Sequence, residues 1–268
     1  MIVTGCELLP AGAAFDAVAD AFDARFDPWL SVAAQRRAVR HELLATFPAG
    51  SRLLEIGGGT GTDAAWMVAH GRQVLLTDAS PAMVRAASLK LGEGAAEVMA
   101  AEHLERLAAR GESFDGVFSN FAALNCVADL APVGASLARL VRPGAHALLV
   151  VFGCFCPGEM IAEAARGRFR NMFRRLKRGD VPASLGGRKF TVRYHRRRDL
   201  TRALAPWFRL TGTRAIGLFV PPSAAEPWIS HHPSLLNLLE DGDRLAAGPL
   251  AALGDHILYR FERVEDAR

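Results

Sequence analysis

Between Arg52 and Gly71 the chain changes texture twice. Arg52-Leu53-Leu54-Glu55-Ile56 reads as a short buried strand, Gly57-Gly58-Gly59-Thr60-Gly61 as a glycine-rich turn, and Asp63 to His70 as a helix closed by Gly71. Few folds accept this unit. Glycines let the main chain turn tightly and lie bare against a bulky ligand, and the helix that follows points its N-terminus at that ligand. The next apolar run, Gln73–Thr77, ends in Asp78. A carboxylate there offers two acceptor oxygens, which suits the paired hydroxyls of a ribose. An acid at the end of the strand before the turn, and another at the end of the strand after it, carry far more information than the glycines alone.

The alternation continues downstream. Ser80-Pro81 opens a helix with proline at its first turn. Glu97–Ala100 reads as a third strand, Phe114–Ser119 as a fourth, Leu130–Val141 as a helix ending at Arg142-Pro143-Gly144, and Ala145–Phe152 as a fifth strand. Strands alternating with helices at this spacing predict a doubly wound, mostly parallel α/β sheet with its ligand at the carboxyl ends of the strands. Upstream, Phe15, Val18, Phe22, Phe26 and Trp29 recur at helical steps, and a second helical stretch runs from Val32 to Phe47. After residue 153 the regular rhythm stops. Glu159–Arg178 reads as a helical insert, Phe190–Tyr194 as an extended piece and Asp199–Leu204 as a helix. Phe208–Val220 and Asp255–Val264 read as late strands flanking a helix over Leu235–Ala247, placed to complete the far edge of the sheet. The expected organisation is an N-terminal helical cover (1–48), a nucleoside-binding core (49–152), a basic cap insert (153–207) and closing strands with a helix (208–268).

These residues resemble the class I S-adenosylmethionine-dependent methyltransferases. The family's first motif, an acid followed by GxGxG, stands as Glu55, Gly57, Gly59 and Gly61, and its ribose acid as Asp78 within Val74-Leu75-Leu76-Thr77-Asp78-Ala79-Ser80-Pro81. The fourth-strand motif is Phe114-Asp115-Gly116-Val117-Phe118-Ser119-Asn120, and the turn before strand five is Leu137 through Gly144. The resemblance implies a seven-stranded Rossmann-like sheet and S-adenosyl-L-methionine as cofactor, leaving S-adenosyl-L-homocysteine. It implies that Gly57, Gly59 and Gly61 approach the methionine and ribose portions. Glu55 would order the loop, Asp78 hold the ribose, Ala79 and Met83 pack near adenine, and Asn120 present polar groups to the methionine amine. The family's usual aspartate after strand three is replaced by Ala100, leaving main chain, Glu102 or His103 for adenine. The N-terminal Phe15-Asp16, Phe22-Asp23 and Phe26-Asp27 pairs resemble the Tyr-Asp repeats of quinone-biosynthesis methyltransferases without the tyrosine hydroxyls. They are read as an apolar cover.

A nicotinamide dehydrogenase shares the turn and the second acid, but its GxGxxG spacing is not what stands here. No Pro-Pro-Tyr or Pro-Pro-Phe run follows strand four, which disfavours methylation of an exocyclic adenine or glutamine nitrogen. His195, His231 and His232 fall where such proteins place the acceptor, and a neutral imidazole there could take a proton. Each also reads as a surface or helix-flanking residue, and His256 as structural. The acceptor pocket is expected under the N-terminal helix and the 153–235 region, taking a small molecule with an oxygen or nitrogen nucleophile.

Charge supplies the remaining alternatives. Thirteen of the 32 Lys and Arg residues lie between Arg166 and Arg198, with Asp180 as the one acid in that span, so an acidic protein carries a basic insert. The insert reads as a solvated face, as a cap for an anionic acceptor, or as a phosphate track, the last implying an RNA methyltransferase. A nucleoside-binding regulator without turnover is the third class. The four cysteines, at 6, 126, 154 and 156, form no zinc spacing and fit reduced thiols in a cytoplasmic protein. No apolar run is long enough to span a membrane, and the stretch Met1–Pro10 has no signal-peptide pattern.

Overall fold

The computed structural model describes residues 8–265; Cys6 and most of the Met1–Pro10 stretch lie outside them. In chain order the elements are α1 (Ala11–Asp16), α2 (Ala19–Phe26), α3 (Leu30–Thr46), β1 (Arg52–Ile56), α4 (Thr62–Ala69), β2 (Gln73–Asp78), α5 (Pro81–Leu91), β3 (Ala96–Val98), α6 (Glu105–Ala109), β4 (Phe114–Ser119), α7 (Ala131–Leu140), β5 (Val141–Phe152), α8 (Pro157–Ala165), β6 (Asp180–Leu185), β7 (Arg188–Arg193), α9 (Arg197–Leu204), β8 (Phe208–Ile216), α10 (Pro233–Ala246) and β9 (His256–Arg263).

Seven strands form one sheet in the order β3-β2-β1-β4-β5-β9-β8, as the fold class requires. The first five are parallel, and β9 runs antiparallel between β5 and β8. The strand order reverses between β1 and β4, so the crevice outside their carboxyl ends is where a ligand fits. The sheet is buried on both faces, which explains the continuous apolar runs Leu53-Leu54, Val117-Phe118 and Ala147–Phe152 in β1, β4 and β5.

The two cores decide which side chains meet at that crevice. On one face Leu54, Ile56, Val117, Leu149, Ile257 and Phe261 pack against α7 and α9 residues such as Leu137 and Leu200. On the other, Leu53, Phe118, Leu148, Val150 and Leu258 pack against Val39, Leu43 and Phe47 of α3 and Ala64 and Met67 of α4. Side chains alternate along a strand. Glu55 therefore shares the face of Leu53, and His256 the face of Leu258, both beneath α3.

The insert departs from the expected continuous helix. Helical structure ends at Ala165, a 3₁₀ turn covers Arg174–Leu176, and the chain then forms a hairpin of β6 and β7. Its two-residue turn, Gly186-Gly187, has φ of +55° and +79°, a geometry that matches strand twist and that glycine adopts without strain. The aromatic stripe at the N-terminus is divided as well, into α1 and α2, with α3 starting two residues after Pro28.

Candidate cofactor and acceptor site

The glycine turn is tied to the end of β2 by main-chain bonds. Gly57 and Gly58 both donate to the Thr77 carbonyl, at 2.7 and 3.2 Å, and Gly59 N–H donates to Asp78 Oδ2 at 2.9 Å. Gly57, Gly59 and Gly61 all have positive φ. At Gly57 space is decisive too, since a Cβ there would stand 2.3 Å from Ala123 Cβ. Asp78 also accepts from Ser80 N–H at 2.9 Å. Burial raises its carboxyl above the usual aspartate value, and the main-chain donors pull the other way. With two donors in place, the carboxylate keeps acceptor capacity for a further partner.

Glu55, next to the end of β1, is 2% exposed. Burial pushes its carboxyl well above the ordinary range, and the nearby charge of Asp63 pushes in the same direction. Its Oε2 is buried without a hydrogen-bond partner. Above it stands a group that the motifs did not reveal. Arg40 Nε donates to Asp63 Oδ1 at 2.9 Å, Arg36 Nε is 3.8 Å from the same oxygen, and the Arg36 guanidinium lies 5.2 Å from the Phe121 ring centroid. Arg36 Nε is also buried and lacks a hydrogen bond. The sequence signal for this pair is their i,i+4 spacing, which puts both arginines on one face of α3.

Asn120 follows β4, but its amide is engaged within the protein. Nδ2 donates to Asp63 Oδ2 at 2.7 Å and Oδ1 accepts from Phe121 N–H at 2.8 Å. The expected polar groups for a ligand amine are thus already occupied, and Asn120 instead fixes the positions of Asp63 and Phe121. Phe121 and Ala122 have φ of +46° and +63°, two consecutive non-glycine residues in a costly conformation at the mouth of the crevice. Met83 is 1% exposed, packed with Ala82 and Ala19 against Phe15, Val18 and Phe22. Ala79 is exposed beside α1, so close that a Cβ on Gly12 would meet its carbonyl at 2.8 Å. Glu102 is half-buried in the 3₁₀ turn after Ala100. Cys126 lies close enough to both Asp78 and Glu102 to feel their charges; burial first, then those two acids, push its thiol up to about 12.

The N-terminal cover is fastened to this site by its aspartates. Asp16 accepts from Ala82 N–H and Ser80 Oγ at the start of α5, at 2.6 and 2.9 Å. Asp23 accepts from Thr60 Oγ1 in the glycine turn at 2.6 Å and from Lys90 at 2.7 Å.

The histidines singled out from the sequence stand apart from this cluster. His195 is buried, its Nε2 2.8 Å from the Val127 carbonyl, and burial lowers its pKa, favouring the neutral ring. His231 and His232 are exposed, with Nδ1 against the Pro227 and Trp228 carbonyls of their own turn. None joins the buried polar groups around Glu55 and Asp63. His256, read from the sequence as structural, does border them through Phe121, with ring centroids 5.8 Å apart.

Comparison with known proteins bears on the domain and its fold. Residues 54–149 match the methyltransferase domain family. The biotin biosynthesis bifunctional protein BioHC of Cellvibrio japonicus is 31% identical over 147 residues, covering 54% of this chain and 28% of that protein, so the chain spans well under a third of it. Among solved structures, the S-adenosylmethionine-dependent methyltransferase of Methanosarcina mazei aligns at 16% identity and a TM-score of 0.55, over 84% of this chain and 97% of that one. One from Mesorhizobium loti aligns at 20% and 0.51, over 83% and 96%. Geranyl diphosphate C-methyltransferase from Streptomyces coelicolor aligns at 14% and 0.52, over 98% and 94%. Residues 54–149 thus match a methyltransferase domain, and the described sheet has the fold of the solved S-adenosylmethionine-dependent methyltransferases.

Proposed function

We propose that the protein transfers a methyl group from S-adenosylmethionine to a small-molecule acceptor with an oxygen or nitrogen nucleophile. The observation that carries this reading is the pair of orphaned polar atoms beside the glycine turn. Glu55 Oε2 and Arg36 Nε are both buried and both lack a hydrogen-bond partner. Leaving such groups unmet costs about 1–3 kcal/mol each. A ligand that brings an ammonium to Glu55 and a carboxylate to Arg36 removes both penalties, and an α-amino acid end carries that pair of charges. Asp78 would hold the ribose hydroxyls. The turn main chain at Gly57, Gly59 and Gly61 would lie against the ligand, and α1 and α2 would exclude water above Met83. Glu102, in the turn after Ala100, would supply the polar contact to the base. When bound, S-adenosylmethionine supplies an electrophilic methyl group on a positively charged sulfur. The protein's share is mainly positioning, worth several kcal/mol of barrier.

The basic insert supports a small acceptor over a phosphate track. Arg168 and Arg166 pair with Glu163, Arg174 and Arg175 with Glu159, Arg193 with Asp180 and Arg198 with Asp199. Much of its positive charge is spent inside the molecule. Cys126, Cys154 and Cys156 are free thiols, in keeping with the cytoplasmic location we propose. Among the described residues, no helix is long and apolar enough to cross a membrane.

Thermal unfolding with S-adenosylmethionine, S-adenosylhomocysteine and a nicotinamide dinucleotide tests the reading. A ligand of the folded state at a hundredfold excess over Kd adds about 2.7 kcal/mol. The first two should raise the melting temperature and the third should not. Equal melting temperatures with and without the sulfur nucleosides would overturn the proposal.

A further inference from the structure

Beside the cofactor cluster lies a second buried polar group that the proposed binding of cofactor leaves unused. His256 opens β9 opposite Phe152, the last residue of β5, and is 6% exposed. Its ring stacks on Phe152, with centroids 4.8 Å apart and planes at 27°, and meets the edge of Phe121 at 5.8 Å. Nδ1 is 3.3 Å from Asp255 Oδ2, out of line for a hydrogen bond, and is otherwise buried without a partner. Asp255 is itself fixed. Its Oδ1 accepts from Arg175 Nη2 at 2.6 Å, its main-chain carbonyl from Arg175 Nη1 at 2.6 Å, and its Oδ2 from Gln35 Nε2 at 3.2 Å. Behind Asp255, Arg175 also grips Glu159.

Three features argue against a purely structural histidine. A core histidine ordinarily satisfies both nitrogens, as His195 does in part through Val127, whereas Nδ1 here faces only a carboxylate. The ring is clamped between two phenylalanines, one of which carries the strained φ next to Asn120 at the carboxyl end of β4. And three of the six buried orphan atoms among the described residues, Glu55 Oε2, Arg36 Nε and His256 Nδ1, lie on the α3 side of the sheet, with the Phe121 ring between Arg36 and His256. If the first two meet the amino-acid end of the cofactor, His256 stands on the acceptor side of Phe121.

We propose that His256 is the proton-accepting catalytic residue of the acceptor site, that Asp255 positions it, and that the acceptor carries a weakly acidic hydroxyl of the phenol or enol kind. This rests on the methyltransferase reading above. The Asp255 carboxylate 3.3 Å from Nδ1 favours electrostatically the tautomer with its proton on Nδ1, which leaves Nε2 as the basic nitrogen. Nε2 takes the hydroxyl proton while the acceptor oxygen's lone pair forms the bond to the methyl carbon. The bond from that carbon to sulfur breaks with its electron pair left on sulfur, so atoms and charge balance without a further reactant. The imidazolium formed is stabilised by Asp255, whose carboxyl is held well below the usual range against the cost of burial by the charges of His256 and Arg175. A hydroxyl that is mostly protonated near neutrality needs such a base, whereas a carboxylate acceptor would not.

The test uses the full chain with phenol, 4-cyanophenol and 4-nitrophenol as probes, in order of increasing acidity. His256→Gln should slow methylation of phenol by about 10²-fold or more, the usual worth of a general base, and that of 4-nitrophenol far less. His256→Phe keeps the ring stack and should behave alike, with S-adenosylhomocysteine affinity unchanged in both. A readout independent of turnover is the absorbance of 4-nitrophenol bound together with S-adenosylhomocysteine. In the wild type the phenolate should persist to lower pH than in solution, and in both variants it should not. The charged groups facing His256 are Asp255, with Arg175 and Glu159 behind it, and Arg36 across Phe121, so the titration is compared at low and high salt. Equal losses on all three phenols, no loss, or an unshifted 4-nitrophenol titration in the wild type would overturn the proposal. So would a wild type that binds S-adenosylhomocysteine but methylates only carboxylates or none of the phenols. If both variants unfold, the wild-type titration decides. A wild type that does not bind S-adenosylhomocysteine overturns the methyltransferase reading, and this proposal with it.

Discussion

Glu55 and Asp78 were readable because the chemistry at a glycine turn is local: the acids stand at fixed offsets from the glycines on successive strands. Arg36 and His256 reach the same crevice from segments far away in the chain, and no offset announces them. Their presence gives Glu55 a testable signature. Its carboxyl is raised in the folded protein by burial and by Asp63. Taken alone, a raised carboxyl favours the folded state at low pH, and that contribution is lost as pH rises through the folded value. A ligand ammonium beside it lowers that value again. Binding of S-adenosylmethionine should therefore release protons, seen as a buffer-dependent heat in calorimetry. Glu55→Gln should abolish the release, weaken binding by about 1.5–3 kcal/mol, and leave the free protein no less stable. Asp78→Ala should weaken cofactor binding by a similar 1.5–3 kcal/mol without unfolding the chain; retained affinity would mean that the ribose does not bind there.

At the scale of elements, β1, β2 and β4 were legible almost to the residue, because buried parallel strands are apolar runs with turn signals at both ends, while the bounds of β3, β5 and β8 were missed by up to four residues. The insert was not. β6 contains Pro182 and alternates exposed residues, so it lacks a strand's signature, and only the Gly186-Gly187 turn marks the hairpin. The run of basic residues was misleading for a related reason: its counter-charges, Glu159, Glu163 and Asp199, lie just outside it. Two elements can be tested separately. In α7, a Cβ on Gly134 would meet the Ala203 carbonyl of α9 at 1.9 Å, a clash with main chain that cannot rotate away. Gly134→Ala should cost about 1–3 kcal/mol of stability and leave cofactor affinity intact. In α2, Asp23 is a partly exposed partner of Lys90 and Thr60, and exposed pairs are worth about 0–1 kcal/mol. Asp23→Ala should hardly change the melting temperature but should speed cofactor release, measured by stopped-flow displacement, since Thr60 then loses its tie to the cover.

For the molecule as a whole, Arg175 is the point where separate segments meet. It joins the insert to α8 through Glu159, to the start of β9 through Asp255, and to the end of β5 through the Gly153 carbonyl. Asp255 in turn reaches Gln35 of α3. All of the charged members are buried, so the network is screened little by salt. Its strength lies in completeness: removing one partner strands the opposite charge in a medium that solvates it poorly. Arg175→Met should therefore cost about 3–5 kcal/mol, whereas Arg168→Ala, at an exposed arginine whose partner Glu163 keeps Arg166 and Asn171, should cost under about 1 kcal/mol. The pH dependence follows from the two acids. Burial opposes their ionisation, but the arginines, with His256 beside Asp255, outweigh it and hold both carboxyls below their ordinary values. A depressed folded value stabilises the protein above the ordinary carboxylate range, and that stability is lost as pH falls through the folded value. Glu55 works in the opposite sense, easing the acid loss slightly. Urea unfolding between about pH 7 and pH 3 should show the wild type losing stability steadily as pH falls. Arg175→Met should start lower and fall less, because Glu159 and Asp255, without their guanidinium, take up protons nearer the ordinary range and gain from doing so. Parallel curves for the two proteins would mean that this network does not set the acid limit of the fold.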